Sequence, residues 1–180
     1  MHEVSLGYTI TDYLSGRAIE ATTYEDLRQA MTRMLVERKG YPAERLSSKV
    51  EVRFPVQDRI YTRTVDLVAY DEAGAPLVLI LFCAGEVETY TREAVAAARL
   101  LQEGPAGLVL VTDTQSAMLV RVADREPMES RDYHNIPDWD RLRELVSQTS
   151  RYELTEKARH LEARLLYALS ELSCGCSREC

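Results

Sequence analysis

Residues 63–83, RTVDLVAYDEAGAPLVLILFC, contain two predicted strands and the turn that joins them. The first strand is predicted for residues 63–70 and the second for residues 77–83, where every side chain is apolar. An uninterrupted apolar strand is typical of a strand that is buried on both faces of a sheet. The turn Asp71-Glu72-Ala73-Gly74 is so short that we expect the two strands to be antiparallel neighbours.

The segment before this pair predicts a helix for residues 22–38 and a half-exposed strand for residues 49–54. Thr22 and Glu25 have the spacing of a capping box, which predicts that the helix begins there. The predicted apolar face of this helix consists of Leu27, Ala30, Met31, Met34 and Leu35. The first three strands are therefore expected to follow this helix as a meander.

The segment after this pair alternates helix and strand again. Its predicted elements are an alanine-rich helix capped by Thr91 (91–102), two strands (107–112 and 117–122) and two further helices (about 137–148 and 152–173). A strand that follows a crossover helix is expected to be parallel to the strand before that helix. The order α-β-β-β-α-β-β predicts an α/β fold with a mixed central sheet, followed by C-terminal helices.

The composition of the chain limits its organisation and its partners. With 180 residues, of which 46% are hydrophobic, we expect one core in residues 1–128 and a helical extension in residues 129–180. The formal net charge is −7, and the basic residues are scattered, which disfavours sequence-independent binding to nucleic acid. The apolar runs are too short to span a membrane and no export signal is visible, so we expect a cytoplasmic protein without a membrane partner.

Several short motifs occur in an order and at spacings that are similar to those of a known family. They are Tyr13-Leu14-Ser15-Gly16, Thr23-Tyr24-Glu25-Asp26-Leu27-Arg28-Gln29, Gly40-Tyr41-Pro42, Arg63-Thr64-Val65-Asp66-Leu67-Val68 and Gly74-Ala75-Pro76-Leu77. On these residues the chain resembles the N-terminal nuclease domain of the R subunit of type I restriction enzymes, within the PD-(D/E)XK superfamily. The resemblance implies a restriction-endonuclease-like α-β-β-β-α-β core.

The resemblance also implies a site for metal-assisted phosphodiester hydrolysis. In that family an Asp at the start of the second strand and a Glu-x-Lys on the third hold Mg²⁺ and the attacking water, and a helix Glu assists. Asp66 occupies the Asp position and Glu25 the helix position, so any catalytic or metal-ligating role here falls to Asp66 and Glu25. The third strand departs from the pattern, because Leu81 stands where the family has Glu and Cys83 where it has Lys.

This departure leaves two interpretations of each remaining residue. Asp66 is a relic metal ligand or an acid paired with Arg63 or another cation, and Glu25 is a metal ligand or part of a helix cap. Cys83 is a reactive thiol or a small buried hydrophobe. A substitute for the missing groups could come from Lys49 on the adjacent strand, or from Glu86 or Glu88 after the third strand.

Two features of the C-terminal region suggest further partners. Cys174, Cys176 and Cys180 place three thiols in seven residues, which fits a metal site or an unstructured terminus. The last predicted helix repeats apolar residues at spacings of four and three. This pattern is typical of a homodimer through residues 152–173 or of packing on the chain's own sheet or on the preceding predicted helix (137–148). The residues of this seam are Leu154, Ala158, Leu161, Leu165, Ala168 and Leu172.

Three functions are consistent with the sequence. The first is a catalytically inactive nuclease-like domain that binds a partner, either a protein or a nucleic acid. The second is an active, Mg²⁺-dependent DNA or RNA endonuclease with a displaced site. The third is a metal-binding module built on the C-terminal cysteines. The substitutions Leu81 and Cys83 favour the first.

Overall fold

The computed structural model describes residues 4–83, 85–129, 134 and 136–175, and of residues 129 and 171–175 it describes the backbone alone. The elements are, in chain order, β1 (Ser5–Thr11), β2 (Ala18–Thr22), α1 (Glu25–Lys39), β3 (Leu46–Val56), β4 (Arg59–Tyr70), β5 (Pro76–Phe82), α2 (Val87–Arg99), β6 (Leu108–Thr112), β7 (Ala117–Arg121), β8 (Pro127–Glu129), α3 (Trp139–Ser147) and α4 (Glu156–Gly175).

Strands β3 to β8 form a six-stranded sheet in sequence order. The pair β5–β6 is parallel and the other neighbours are antiparallel, as expected for a meander followed by a helical crossover. The turn between β4 and β5 is closed by Asp71, whose Oδ1 accepts hydrogen bonds from the backbone N–H groups of Ala73 and Ala75. The predicted α/β fold with a mixed sheet is therefore confirmed.

Two apolar layers cover the two faces of this sheet. One layer packs the sheet against α2 and α4, and the other packs it against α1 and α3. Every residue of β5 is buried, as predicted for a strand covered on both faces. Along β5, Leu79 and Leu81 belong to the α2 layer, whereas Ile80 and Phe82 belong to the α1 layer. This alternation decides which β5 side chains can reach groups on α1.

The capping box predicted for the first helix is wrong. Thr22 ends β2, and α1 begins at Glu25 with Tyr24 as an N-cap residue whose side chain makes no capping hydrogen bond. The predicted apolar face is also partly wrong, because Leu27 and Ala30 are exposed. Glu25 and Arg28 are buried in place of these two residues. The physical reason is that these two charged side chains pair with each other and with groups on the sheet.

The second helix begins one turn earlier than predicted. It starts at Val87 with Glu86 as the N-cap residue, and the Thr91 hydroxyl donates to the Glu88 carbonyl inside the helix at 2.7 Å. Thr91 therefore does not cap this helix. Two β elements were not predicted, the hairpin β1–β2 and the short strand β8. Strand β1 is almost wholly exposed and its register shifts between Ser5 and Thr9, so it lacks the alternation of buried and exposed residues that marks a strand.

Helix α4 packs on α2 and β3. Among its residues 156–170, the buried ones are Glu162, Ala163 and Leu166, whereas Leu161 of the predicted seam is exposed. Helix α4 thus packs on the chain's own core. The homodimer stays a prediction, which a molar mass from light scattering would test. Cys174 lies within α4, where only its backbone is described. Cys176 and Cys180 lie outside the described residues. Within the described part of the chain, no helix combines the length and the apolarity that a membrane crossing requires.

Candidate active site

Four charged side chains from three elements meet at one end of the α1 layer. They are Glu25 and Arg28 on α1, Lys49 on β3 and Asp66 on β4, and we call them the site network. Arg28 Nη2 lies 2.9 Å from Asp66 Oδ1, and Arg28 Nη1 donates to Glu25 Oε2. Lys49 Nζ lies 2.7 Å from the same Glu25 oxygen. The network thus joins two carboxylates to two cations.

The second oxygen of each carboxylate is also hydrogen-bonded. The backbone N–H of Phe82 donates to Asp66 Oδ2 at 2.8 Å, and Gln29 Nε2 donates to Glu25 Oε1 at 2.9 Å. Gln29 Nε2 also donates to Asp12 Oδ1 at 2.9 Å, which ties α1 to the loop after β1. Buried carboxylates need such partners, because burial removes the hydrogen bonds that water would supply.

The environment shifts the pKa values of two of these acids in opposite directions. Burial raises the pKa of Asp66, although the Arg28 guanidinium and the Phe82 N–H favour its ionised form. Burial also acts to raise the pKa of Asp12, but hydrogen bonds from Ser15 and Gln29 outweigh it, and the pKa is lowered. Desolvation therefore dominates at Asp66 and hydrogen bonding at Asp12.

Lys49 stands at an irregular point of β3. Its φ of 51° lies in the left-handed region, which is uncommon for a residue other than glycine. The neighbouring positions are regularly paired, Ser48 with Leu67 and Val50 with Val65. Irregular backbone at a strand position re-aims a side chain, and here the amine of Lys49 reaches Glu25.

A cleft of about 590 Å³ opens beside Glu25 and Lys49. Lys49 is 36% exposed, whereas Glu25 and Arg28 are each 1% exposed. Lys49 is therefore the most exposed side chain of the site network. Other polar residues that line the cleft are Asp12, Ser15, Arg17, Glu44, Ser47 and Ser48.

The two substituted positions of the third strand lie in the α2 layer. Leu81 and Cys83 are buried there among apolar side chains. Burial, with smaller contributions from Asp113 and Asp66, raises the pKa of the Cys83 thiol to about 11, so the thiol stays protonated at neutral pH. It donates a long hydrogen bond to the Gly85 carbonyl at 3.7 Å. These observations favour the interpretation of Cys83 as a small buried hydrophobe.

The structure places the other predicted partners as follows. The cation beside Asp66 is Arg28, while Arg63 pairs with Glu93 of α2 at 2.7 Å. Lys49 does approach the site from the adjacent strand, as one alternative required. Glu86 and Glu88 lie at the start of α2, on the opposite face of the sheet from α1.

Arg28 is the residue that sequence reasoning missed. The motif Thr23-Tyr24-Glu25-Asp26-Leu27-Arg28-Gln29 contains it, but the family resemblance implies no role for it in the site. A signal was present, since Glu25 and Arg28 are three residues apart and so lie on one side of the helix. A glutamate and an arginine at this spacing can pair with each other, and such pairing is what allows both side chains to be buried here.

The site residues do not fit the Mg²⁺ that the family resemblance implies. Among the described residues, no group of three or more His, Cys, Asp or Glu side chains is arranged to hold a metal ion. The guanidinium of Arg28 bridges Glu25 and Asp66, the two carboxylates that would be ligands. The charge of these carboxylates is already compensated by Arg28 and Lys49.

Comparison with known proteins gives one match to a family model and two to solved structures. The model described as type I restriction enzyme R protein N terminus (HSDR_N) matches residues 23–137. A protein from Anabaena variabilis ATCC 29413, described as a nuclease candidate of the DUF820 group, is 13% identical with a TM-score of 0.41, over 84% of this chain and 89% of that one. The type IIG restriction endonuclease BpuSI is 12% identical with a TM-score of 0.38, over 86% of this chain and 17% of that one. No curated protein sequence matches this chain.

Proposed function

Because this chain belongs to the family of type I restriction enzyme R protein N termini, we propose that it is a restriction-endonuclease-like domain that binds a partner without hydrolysing phosphodiesters. The observation that carries the proposal is the set of groups that surround the Asp66 carboxylate. Its carboxylate is held by Arg28 and by the Phe82 N–H, and β5 brings no carboxylate or amine beside it. Leu81 and Cys83 belong to the α2 layer, on the face of the sheet opposite α1.

The chemistry of the two substituted residues supports the absence of hydrolysis. Mg²⁺ prefers several oxygen ligands in near-octahedral geometry, and the leucine side chain supplies none. A thiol is a soft ligand, and Cys83 is a neutral thiol at physiological pH because its pKa is about 11. The third strand therefore contributes neither a ligand nor a positive charge to a reaction at Asp66.

A protein partner is favoured over nucleic acid as the target of the binding role. The net charge of −7 opposes approach to a phosphate backbone. Leu6 and Tyr8 of β1, and Val4 just before it, are three large apolar side chains exposed by 44% to 58%. Exposed apolar side chains gathered in one element are typical of a protein-binding surface.

The nuclease assay tests the catalytic half of this proposal. The purified chain is incubated with single- and double-stranded DNA and RNA in Mg²⁺ or Mn²⁺, with Asp66→Ala as the matched control. We expect equal, background levels of product for both proteins. Cleavage by the wild-type chain that disappears in Asp66→Ala would refute the proposal.

The binding half needs two further measurements. Fluorescence anisotropy with labelled DNA and RNA at physiological salt is expected to show no saturable binding. A protein captured by the wild-type chain is expected to be lost with the double variant Leu6→Ser and Tyr8→Ser. Tight binding to nucleic acid that is reversed by Arg17→Glu would instead identify the cleft as a nucleic-acid surface.

A displaced nuclease site is the second candidate, and the position of Lys49 favours it. The amine lies 2.7 Å from Glu25, beside the cleft, where it could take the place of the missing third-strand lysine. Such an enzyme would require Arg28 to move away from Asp66 and Glu25 before these carboxylates could hold Mg²⁺. Cleavage that is abolished by Lys49→Met and by Glu25→Gln alike would establish this function in place of the first.

A further inference from the structure

We propose that Arg28 is a built-in cation that takes the place of the divalent metal implied by the family resemblance. In this view the carboxylates of Glu25 and Asp66 are held together by a side chain of the protein itself. The inference rests on the proposed function, since it explains how an inactive domain keeps two buried carboxylates in its former metal site. It concerns metal binding, and its test does not depend on catalysis.

The geometry of the guanidinium supports this role. Its two terminal nitrogens contact different carboxylates, with Nη1 on Glu25 and Nη2 on Asp66 at 2.9 Å. A planar guanidinium presents its N–H groups in a fixed fork, so one Arg28 side chain fixes the relative position of both acids. Arg28 and Glu25 are each 1% exposed, which places the bridge inside the fold.

The charges of the site network explain why Arg28 and a metal exclude one another. Glu25 and Asp66 contribute two negative charges, and Arg28 and Lys49 contribute two positive charges, so the sum is zero. A divalent cation added to this network would bring two uncompensated positive charges into a buried region. Unpaired buried charge is strongly unfavourable, so the metal would have to displace a cation.

Arg28 and Lys49 differ in a way that provides a matched control. Lys49 is 36% exposed and contacts Glu25 in the site network, whereas Arg28 is buried and bridges both acids. Removing Lys49 takes away one positive charge but leaves the bridge intact. Removing Arg28 takes away one positive charge and also opens the position between the two carboxylates.

The test is a Mn²⁺ titration of the full chain, followed by electron paramagnetic resonance of free Mn²⁺ and by thermal unfolding. We expect Arg28→Met to bind one Mn²⁺ with a Kd at least tenfold lower than the wild-type chain, and to gain thermal stability on binding. Lys49→Met and the exposed-site control Arg33→Met should behave as the wild type does. Adding Asp66→Asn to Arg28→Met should remove the gain.

Two results would overturn the inference. One is that the wild-type chain already binds one Mn²⁺ and that Asp66→Asn abolishes this binding. The other is that neither Arg28→Met nor Arg28→Gln binds Mn²⁺ more tightly than the wild type. If these variants are unfolded in EDTA, the equivalent result is that added Mn²⁺ does not restore their folded state. Restoration by Mn²⁺ would support the inference. Cleavage of DNA by the wild-type chain would refute the proposed function separately, since the Mn²⁺ titration measures a different property.

Discussion

The two faces of the sheet each bury a network of charged side chains, and the two networks differ in how their charges are balanced. The site network pairs two carboxylates with two cations. On the other face, Glu162 of α4 lies 2.6 Å from Arg99 of α2 and 3.0 Å from Arg125, and we call these three residues the clasp. The clasp has a single carboxylate for two guanidinium groups.

The surroundings of the two networks differ as well. Arg99 also donates to the backbone carbonyls of Val122 and Ala123, each at 3.0 Å, and it stacks on the ring of Tyr152 at 4.0 Å. These partners join Arg99, and through Glu162 also α4, to the core. The site network borders a cleft instead. Burial of charge alone therefore does not identify a functional site, and access from solvent has to be added.

The largest expected effect comes from breaking the clasp. Glu162→Gln leaves Arg99 buried without its carboxylate, and removing one partner of a buried ion pair costs about 3–5 kcal/mol of the free energy of unfolding. Chemical denaturation measures this loss. The control is Glu156→Gln, an exposed position on the same helix, which should change stability by less than about 0.5 kcal/mol. Equal effects of the two variants would show that the clasp does not hold α4.

A smaller effect is expected at the site network, because Arg28 retains a second carboxylate. Glu25→Gln should lower the free energy of unfolding by about 1–3 kcal/mol, because it weakens the charged contacts of Glu25 with Arg28 and Lys49. Arg28 keeps its contact with Asp66, and Lys49 can turn to solvent. The control is Glu37→Gln, exposed on the same helix. A loss as large as that of Glu162→Gln would contradict the sharing of Arg28 between two acids.

The raised pKa of Asp66 predicts how the site network responds to pH. A raised pKa in the folded state stabilises the protein most below the ordinary value of 3.8, and this contribution is lost as pH rises through the folded pKa. Asp66→Asn lacks this dependence, so its stability should improve relative to the wild type between pH 3.8 and 7. Denaturation at several pH values, with exposed Asp58→Asn as the control, checks the sign. The opposite sign would mean that Arg28 outweighs burial.

The parts of the fold that depend on short segments could be predicted from the sequence. The antiparallel pair β4–β5 follows from a four-residue turn, and the buried strand β5 from seven consecutive apolar residues. Hairpin β1–β2 was missed because its strands are largely exposed and carry little alternation. The start of α1 was misplaced because Thr22 satisfied the capping pattern while its backbone continues β2.

The site could be predicted only in part, because its contacts join distant parts of the chain. The motifs point to Asp66 and Glu25, and the position of Lys49 on the adjacent strand makes it a candidate. The bridge between Arg28 and Asp66 spans 38 residues, and the contact between Arg99 and Glu162 spans 63. Pairings over such distances depend on how the helices dock on the sheet, and no periodicity within one segment reports them.

The smallest expected effect on stability is that of substituting Cys83. The reactivity of its thiol tests whether this residue is buried in the α2 layer, on the same side of the sheet as the clasp. Cys83→Ala should lower the free energy of unfolding by about 1 kcal/mol, as expected for a small buried side chain.

In a chain whose other cysteines are changed to serine, the Cys83 thiol should react with a thiol reagent at pH 8 at least about a hundredfold more slowly than a free cysteine. The reason is that its pKa is about 11 and not the ordinary 9.0, and only the thiolate reacts. Unfolding in denaturant should restore the ordinary rate. Fast labelling of the folded chain would contradict the buried, protonated thiol, and would return Cys83 to the list of functional residues.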